Sequence, residues 1–348
     1  MQVKSLRGKS FIAISDFTKE EIVTMLDAAV ALKLENARGV PHHILQDKAI
    51  FLMFYNKSLR TRNSFETGIF QLGGHANYLD TNAVYTPAVK GKEQAFVTER
   101  LDDVAKVLSR YGEAICIRIF GDPVGWVYGA GNHYMREFAK AADVPVINME
   151  DDMYHPCQGM ADVMTMQEKL GTLEGKKVVM SWAYSPSVKK PISVPHSMMA
   201  VSSLFGAHVV LAHPKGFDLD PAQIAHAKDN VARYGGSFTV TNDMKEAFKD
   251  ADVVYPKCWP SPKYFATDEK EPDWKAQQKL FDANKGWICD EKIMKLTNRD
   301  SIYMHCLPCD RSHEVSDAVI DGPHSVVYDQ AENRMHAQNG VMALLMNG

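Results

Sequence analysis

The chain has 348 residues, 45% of them hydrophobic, with 39 basic and 43 acidic side chains and a formal net charge of −4. This length exceeds what one hydrophobic core usually fills, so two domains are expected. The near balance of charge argues against nucleic-acid or acidic-membrane partners, and a bound anion would need a local cluster of cations. The N-terminal stretch MQVKSLRGKSFIAISDF lacks a signal-peptide core and no apolar run could span a bilayer, so a cytoplasmic protein is expected.

The six cysteines are scattered along the chain, which favours reduced thiols over a disulfide framework. Cys306 and Cys309 form one C-x-x-C pair, which could belong to a metal site or a redox pair. No second C-x-x-C occurs, and the pair does not stand at a strand-to-helix turn of the thioredoxin pattern. We therefore expect neither metal nor redox chemistry here.

Short apolar runs alternate with amphipathic helical patterns through almost the whole chain. Buried strands are predicted at 49–55, 114–119, 145–149, 177–183, 208–213, 252–256, 301–306 and 325–329. This alternation predicts an α/β fold with two doubly wound parallel-sheet domains. The predicted domains cover 1–155 and 156–328, and a C-terminal helix over 329–348 is expected to pack back on the first domain. Ligands of open parallel sheets bind beyond the carboxyl ends of the strands, so the cleft between the domains is the expected site.

The segment Ser58-Leu59-Arg60-Thr61-Arg62 directly follows the first predicted strand and opens a helical pattern. Such a junction points backbone N–H groups and a positive dipole end at one place, and two arginines with two hydroxyls add charge-assisted donors. The pattern suits a phosphate group, although it is not a P-loop. A solvated helix start is the alternative interpretation.

Two histidine motifs stand just after other predicted strands. His155 and Gln158 belong to HPCQ, whereas Cys306 and Leu307 belong to HCLP. Arg118 stands at the end of the second predicted strand, and Arg334 opens the terminal helical pattern. The residues at these strand and helix ends could lie along one edge of a cleft and bind an anion together. Each histidine alone could equally be a structural residue that bonds to the backbone.

The motifs S-x-R-T-R, H-P-x-Q, H-C-L-P and E-N-R, in this order, resemble those of the transcarbamylases, which are the aspartate and ornithine carbamoyltransferases and their relatives. The resemblance covers nearly the whole chain. It implies a carbamoyl-phosphate domain followed by an amino-substrate domain, and a homotrimer whose active sites lie at subunit interfaces. It implies no metal or organic cofactor.

The resemblance also implies a role for each motif residue in carbamoyl transfer. The phosphate would be held by Ser58, Leu59, Arg60, Thr61 and Arg62, with Arg334 on the far side. The carbonyl oxygen would be stabilised by Thr61, Arg118 and His155, and the carbamoyl NH2 by Gln158 and the Leu307 carbonyl. Cys306 would lie near the attacking nitrogen, or it is simply a small buried hydrophobe.

The proline-rich segment YSPSVKKPISVP, residues 184–195, is similar to that of the acetylornithine and succinylornithine branch, whose chains are knotted. The resemblance therefore implies a trefoil knot at this loop; a rigid surface loop is the alternative. The segment lacks the S-M-G motif by which ornithine carbamoyltransferases hold their substrate, so ornithine itself is not expected.

Asp310 and Glu314 stand where the acetylornithine enzymes have an arginine and a lysine that serve the substrate. This exchange of cations for carboxylates predicts a different ligand charge, so acetylornithine is not expected either. An amino or ureido group would meet the carboxylates, and the ligand's own carboxylate would meet lysines. The candidates are Lys189, Lys190, and Lys90 or Lys92 of the partner subunit. A solvated loop is the alternative for Asp310 and Glu314.

Two other functions fit parts of the pattern. A catalytically inactive sensor of carbamoyl phosphate could keep the phosphate cradle, but it would not need HPCQ beside the arginines. A nicotinamide-dependent oxidoreductase could share the α/β alternation, but the G-x-G-x-x-G sequence is absent. We therefore predict an enzyme that transfers a carbamoyl group between carbamoyl phosphate and a nitrogen of a small amino-acid-like metabolite.

Overall fold

The computed structural model describes residues 5–81, 84–95, 97–267 and 269–347. The chain forms two compact units. Unit 1 contains Met1–Val124, Gly129–Met160 and Arg334–Gly348, and unit 2 contains Gly125–Tyr128 and Ala161–Asn333. The chain therefore passes between the units four times, and two of its helices have residues in both.

Unit 1 is built on a four-stranded sheet in which every neighbouring pair is parallel. Its strands are β1 (Ala49–Phe54), β2 (His75–Asp80), β5 (Ala114–Arg118) and β6 (Val146–Glu150), in the order β2-β1-β5-β6, and the short strands β3 (Thr86–Ala88) and β4 (Thr98–Arg100) form a separate parallel pair. Strands β1, β5 and β6 are buried almost throughout, which explains their mostly apolar sequences. Strand β2 is an edge strand whose residues are all exposed or half-buried, and its sequence HANYLD did not indicate a strand.

Unit 2 contains a five-stranded parallel sheet. Its strands are β7 (Lys177–Trp182), β8 (His208–Ala212), β9 (Ser237–Thr241), β10 (Val253–Lys257) and β11 (Ile302–Tyr303), in the order β11-β10-β7-β8-β9. Strand β9 is the edge strand and was not predicted, because its residues are half-buried or exposed and mostly polar.

In the described part of the chain, α-helices connect these strands. They are α1 (Lys19–Ala37), α2 (Leu59–Gln71), α3 (Leu101–Tyr111), α4 (Ala130–Ala141), α5 (Pro156–Leu170), α6 (Ser193–Leu204), α7 (Pro221–Tyr234), α8 (Met244–Phe248), α9 (Trp274–Asp282), α10 (Glu291–Met294), α11 (Asp317–Ile320) and α12 (Val327–Asn347). Helices α5 and α12 contribute residues to both units. The prediction of an α/β fold with parallel sheets and two domains is confirmed. Within the described ranges, no helix is long and apolar enough to cross a membrane.

The prediction of a strand over 325–329 is wrong. Ser325 makes only an isolated parallel bridge with Tyr303, and α12 begins at Val327. A short apolar run such as SVVYD suits a buried strand and a buried helix start equally, and periodicity cannot separate them. The strand predicted over 301–306 is reduced to Ile302–Tyr303, so His305 and Cys306 lie in a loop.

In unit 1, α12 packs closely on α1 because of one glycine. A Cβ at Gly340 would lie 2.5 Å from the Met25 carbonyl oxygen and 2.7 Å from the Ala29 nitrogen, closer than real Cβ atoms come to such atoms. Glycine is therefore required for this approach. The contact fixes the part of α12 that begins with Arg334.

Candidate active site

The start of α2 has the geometry of an anion-binding helix N-terminus. Ser58 is the N-cap residue, with extended backbone angles, and its Oγ accepts a hydrogen bond from the Thr61 nitrogen at 3.2 Å. The first turn contains no acidic residue that would offset the positive end of the helix dipole. Leu59 contributes its backbone here, since its side chain is 74% exposed. An anion placed above this turn would meet the N–H groups with which a helix begins.

Arg334 joins three separate parts of unit 1. Its Nη2 donates to Thr61 Oγ1 at 2.8 Å, and its Nη1 donates to Gln158 Oε1 at 2.8 Å. All three side chains are buried. Arg334 stands on α12, Thr61 on α2 and Gln158 on α5, so residues far apart in the sequence meet in one network. A planar guanidinium with several fixed donors can form both bonds at once.

A second buried group lies at the carboxyl ends of β5 and β6. Arg118, the last residue of β5, forms an ion pair with Glu150, the last residue of β6. His155 Nε2 lies 3.7 Å from Glu150 Oε2. All three residues are buried. Glu150 was not predicted as a site residue; its position at the end of a buried strand, five residues before His155, is the signal that could have revealed it.

His155 is kept neutral by its surroundings. Burial lowers the pKa of His155 well below its usual value, and the positive charges of Arg334, Arg118 and Arg60 lower it further. Each of these arginines is therefore near enough to act on the charge of His155. A neutral imidazole carries one N–H, which can be donated to an oxygen that becomes negative during a reaction.

Arg62 does not join this cluster. Its Nε donates to Glu66 Oε1 at 3.0 Å, and its guanidinium lies 3.7 Å from the centre of the Tyr78 ring. The side chain is 43% exposed. Arg62 therefore covers the outer surface of α2 and β2. These contacts do not support the prediction that its side chain holds the phosphate.

Cys306 and Leu307 follow β11 in unit 2, in a loop held by His305. The His305 Nδ1 accepts from the Leu307 nitrogen at 2.9 Å, and the His305 nitrogen donates to Gln330 Oε1 at 2.9 Å. Leu307 has a φ of 52°, a left-handed conformation that is uncommon outside glycine and is often found at functional sites. Cys306 is half-buried.

Glu314 lies beneath this loop and is completely buried. Its Oε1 accepts from the Cys258 nitrogen at 2.7 Å, and its Oε2 accepts from the Asp310 nitrogen at 2.8 Å. Burial would raise the pKa of Glu314, but His305 and Lys257 hold the pKa well below its usual range. The prediction that an amino or ureido group of the ligand meets Glu314 is therefore corrected: this buried carboxylate supports the loop from inside unit 2.

Asp310 is also engaged within unit 2. Its Oδ2 lies 2.8 Å from Lys190 Nζ and accepts from Ser185 Oγ at 2.5 Å, so both lysine and carboxylate charges are locally neutralised. The predicted reversal of ligand charge did not pair Asp310 with a nearby cation. Lys190, from the proline-rich segment, supplies one.

The remaining predicted lysines belong to different units. Lys189 lies with its Nζ 5.3 Å from the centre of the Trp274 ring in unit 2. Lys90 and Lys92 are exposed in the 84–95 segment of unit 1. In contrast, Lys257 is buried at the end of β10, 3.9 Å from Glu314, and was missed because a single lysine in an apolar run has no motif around it.

Among the described residues, one group of side chains could in principle hold a metal ion: His305, Cys309 and Glu314, whose ligand atoms lie within 4.8 Å of one another. Both Glu314 oxygens already accept backbone N–H groups, and Lys257 lies beside the carboxylate. A nearby ammonium group opposes binding of a cation. The donor set therefore serves the protein itself and does not fit a metal.

Comparison with known proteins agrees with these arrangements. Residues 9–168 match the aspartate/ornithine carbamoyltransferase carbamoyl-P binding domain, and residues 174–345 match the Asp/Orn binding domain of the same family. The chain is 40% identical over 346 residues to ornithine carbamoyltransferase of Thermococcus kodakarensis, covering 99% of each chain. It is 37% identical over 346 residues to N-acetylornithine carbamoyltransferase of Xanthomonas campestris pv. campestris, covering 97% of this chain and 98% of the relative.

Solved structures give the same result. Acetylornithine transcarbamylase complexed with acetylcitrulline superposes with a TM-score of 0.89 at 36% identity, covering 98% of this chain and 100% of the other. Ornithine carbamoyltransferase from Pyrococcus furiosus superposes with a TM-score of 0.83 at 39% identity, covering 99% of both. These proteins are transferases of one class. The chain belongs to the aspartate/ornithine carbamoyltransferase family, as its motifs predicted, and is an enzyme of the carbamoyltransferase class.

Proposed function

We propose that this enzyme binds carbamoyl phosphate in unit 1, at the start of α2, and transfers the carbamoyl group to or from the primary amine of an ornithine-class diamino acid, free or N-acylated. The observation that carries the proposal is the network of Arg334, Thr61 and Gln158 beside the neutral imidazole of His155. These groups offer donors to an anion and to a carbonyl oxygen. A simple anion sensor would not need a buried imidazole there.

The chemistry follows from the position of the charges. Ser58, Arg60 and the first N–H groups of α2 hold the phosphate and stabilise the charge that it gains as it leaves. Thr61, Arg118 and His155 donate to the carbonyl oxygen while the carbon is tetrahedral, and such preorganised donors supply several kcal/mol, about 3 to 4 for one donor in well-studied cases. Gln158 and the Leu307 carbonyl orient the carbamoyl NH2.

The attacking amine must be uncharged, and the departing phosphate can take its proton. No separate base is then required, and the rate comes mainly from positioning. Cys306 borders the amine in this proposal. Arg62 takes no part through its side chain.

The expectation that ornithine and acetylornithine are both excluded lacks support. Its physical premise was an uncompensated pair of carboxylates, whereas Asp310 is paired with Lys190 and Glu314 is buried. The relatives named above are ornithine and N-acetylornithine carbamoyltransferases.

The proposal includes a homotrimer with shared active sites and the knotted path at 184–195 that the resemblance implies. Exposed apolar side chains on the outer side of α2 support an interface: Leu59 is 74% and Phe70 is 77% exposed. Phe70 borders a surface groove with Thr67 and His75, beside the edge strand β2. Such a surface is suited to contact with another copy.

A colorimetric assay for ureido products tests the function. Purified enzyme is incubated with carbamoyl phosphate and, separately, with ornithine, N-acetylornithine, N-succinylornithine and shorter diamino acids. We expect one amine to give product at least about a hundredfold faster than the others, and His155→Asn to reduce that rate by about a hundredfold. Binding of carbamoyl phosphate without product from any amine would overturn the proposal.

A further inference from the structure

The loop between β6 and α5, residues 151–155, ends at His155 and is organised by Asp151. This residue is completely buried. Its Oδ1 accepts from the Tyr154 nitrogen at 2.6 Å and from the Met153 nitrogen at 2.7 Å, while its own nitrogen donates to the Tyr154 carbonyl at 2.9 Å. Both backbone polar groups of the residue before His155 are therefore held by Asp151.

The other oxygen of Asp151 ties the loop to two more elements of unit 1. Oδ2 accepts from the Asn132 side-chain nitrogen at 2.7 Å and from that of Asn148 at 2.9 Å. Asn132 lies in the first turn of α4, and Asn148 lies in the middle of β6. The loop is thus fixed from two sides by side chains that are themselves buried.

The adjacent Asp152 makes a parallel connection to the start of α4. Its Oδ2 accepts from the Gly129 nitrogen at 2.6 Å and its Oδ1 from the Asn132 nitrogen at 3.0 Å, which satisfies N–H groups that a helix start leaves unpaired. A Cβ at Gly131 would lie 2.8 Å from Asp152 Oδ1 and 2.6 Å from the Ile119 carbonyl oxygen. Glycine at this position permits the close contact.

Burying two neighbouring carboxylates costs free energy, because both groups lose their contacts with water. Burial and the charge of Asp152 raise the pKa of Asp151 to about 8, and the N–H donors oppose this rise. A turn alone could be closed by backbone bonds or by one short polar side chain. The second carboxylate and the two asparagines add rigidity at the point where a histidine must be held to a fraction of an ångström.

We propose that Asp151 and Asp152 are positioning residues for His155: together they fix the loop 151–155 to the start of α4, so that the imidazole meets the carbonyl oxygen of carbamoyl phosphate. The inference rests on the proposed function for the role of His155. The packing of the loop does not depend on which amine is used.

Two measurements test this proposal in the full-length enzyme. The first is a double-mutant cycle on kcat, measured with the most active amine, for Asp151→Asn in the wild-type and His155→Asn backgrounds. We expect Asp151→Asn to reduce kcat about tenfold or more with His155 present, and less than about twofold with His155 already removed. The dissociation constant for inorganic phosphate should change less than about twofold, because the cradle at the start of α2 is untouched.

The second measurement needs no turnover. The 13C–1H resonance of the His155 ring is assigned by its loss in His155→Asn. We expect Asp151→Asn to shift and broaden this resonance, and Asn132→Ala, which keeps both carboxylates but removes one donor, to shift it less in the same direction. Phe138→Leu, a change in the unit 1 core, serves as the control that alters stability and leaves the resonance in place.

An equal loss of kcat in both backgrounds would overturn the proposal, as would a His155 resonance that none of the loop variants moves. If Asp151→Asn does not fold, the His155 ring resonance of Asn132→Ala provides the test instead. Absence of turnover with every amine would refute the proposed function, whereas the resonance would still report on the positioning of His155.

Discussion

His155 is a buried imidazole whose pKa is lowered by burial and by three guanidinium groups, and this has a consequence for stability. Unfolding releases the ring into water, where it binds a proton near pH 6.5. The native ring does not, because burial and the charges of Arg334, Arg118 and Arg60 depress its pKa. Below about pH 6.5 the unfolded chain therefore binds more protons, and the native state is destabilised as the pH falls. Burial also lowers the pKa of His305.

We predict that the free energy of unfolding decreases as the pH falls from 6.5 to 5.5, by about 1 kcal/mol through His155 and further through His305. The measurement is urea unfolding at both pH values. His155→Asn should remove the part of the decrease that is due to His155. His208→Asn, a change at an exposed histidine, should leave it intact. An identical pH dependence in wild type and His155→Asn would show that the ring is not held neutral.

The side chain of Arg334 gives a second prediction. Arg334→Lys keeps the charge but replaces two fixed donor nitrogens, one on Thr61 and one on Gln158, with a single flexible ammonium, so we expect kcat/KM to fall about a hundredfold, equivalent to about 3 kcal/mol. The matched control is Arg110→Lys at an exposed arginine of the same unit, which should change kcat/KM less than about twofold. Equal effects of the two exchanges would contradict the proposed clamp.

Helix α2 is the element on which phosphate binding depends. Ser58 caps α2 and Thr18 caps α1 with the same kind of bond, each accepting at 3.2 Å from the nitrogen three residues later. We predict that Ser58→Ala and Thr18→Ala each lower the free energy of unfolding by about 1 kcal/mol. Only Ser58→Ala should weaken binding of inorganic phosphate, by about tenfold in titration calorimetry. Equal weakening by both variants would mean that the effect is one of general stability.

The sequence predicted elements best where a strand is buried on both faces. The apolar runs of β1, β5, β7 and β10 are continuous because their surroundings are apolar throughout. Strands β2 and β9, which lie at sheet edges and contain polar residues, were not predicted from the sequence. SVVYD was misassigned because an apolar run of that length suits a strand and a helix start alike.

The residues of the proposed site that stand in motifs, such as Thr61, His155 and Gln158, could be named from the sequence. The buried charges Glu150 and Lys257 could not, because each is an isolated charge whose partner is far away in the sequence: Arg118 for Glu150 and Glu314 for Lys257. The same limit applies to Asp310, whose charge is balanced by Lys190 from a different loop. Long-range pairing of charges is a property of the fold.

At the scale of the whole molecule, the proposed trimer predicts a particle of three 38.9 kDa chains. We expect light scattering to give this mass for the wild-type enzyme. Phe70→Glu places a charge on the exposed apolar face of α2 and should shift the mass toward one chain, with loss of activity if active sites are shared. Tyr234→Glu, a change on α7 of unit 2, is the control. A monomeric wild type with full activity would contradict the shared site.

In the proposed mechanism, arginines from distant stretches of the chain converge with His155 on one carbamoyl phosphate. The decisive experiment is a crystal structure of the enzyme with carbamoyl phosphate bound. We expect phosphate oxygens within about 3 Å of Ser58, Arg60 and the first N–H groups of α2, and the carbonyl oxygen within about 3 Å of His155. A ligand bound elsewhere, or bound there with His155 and Arg118 turned away from it, would refute this mechanism.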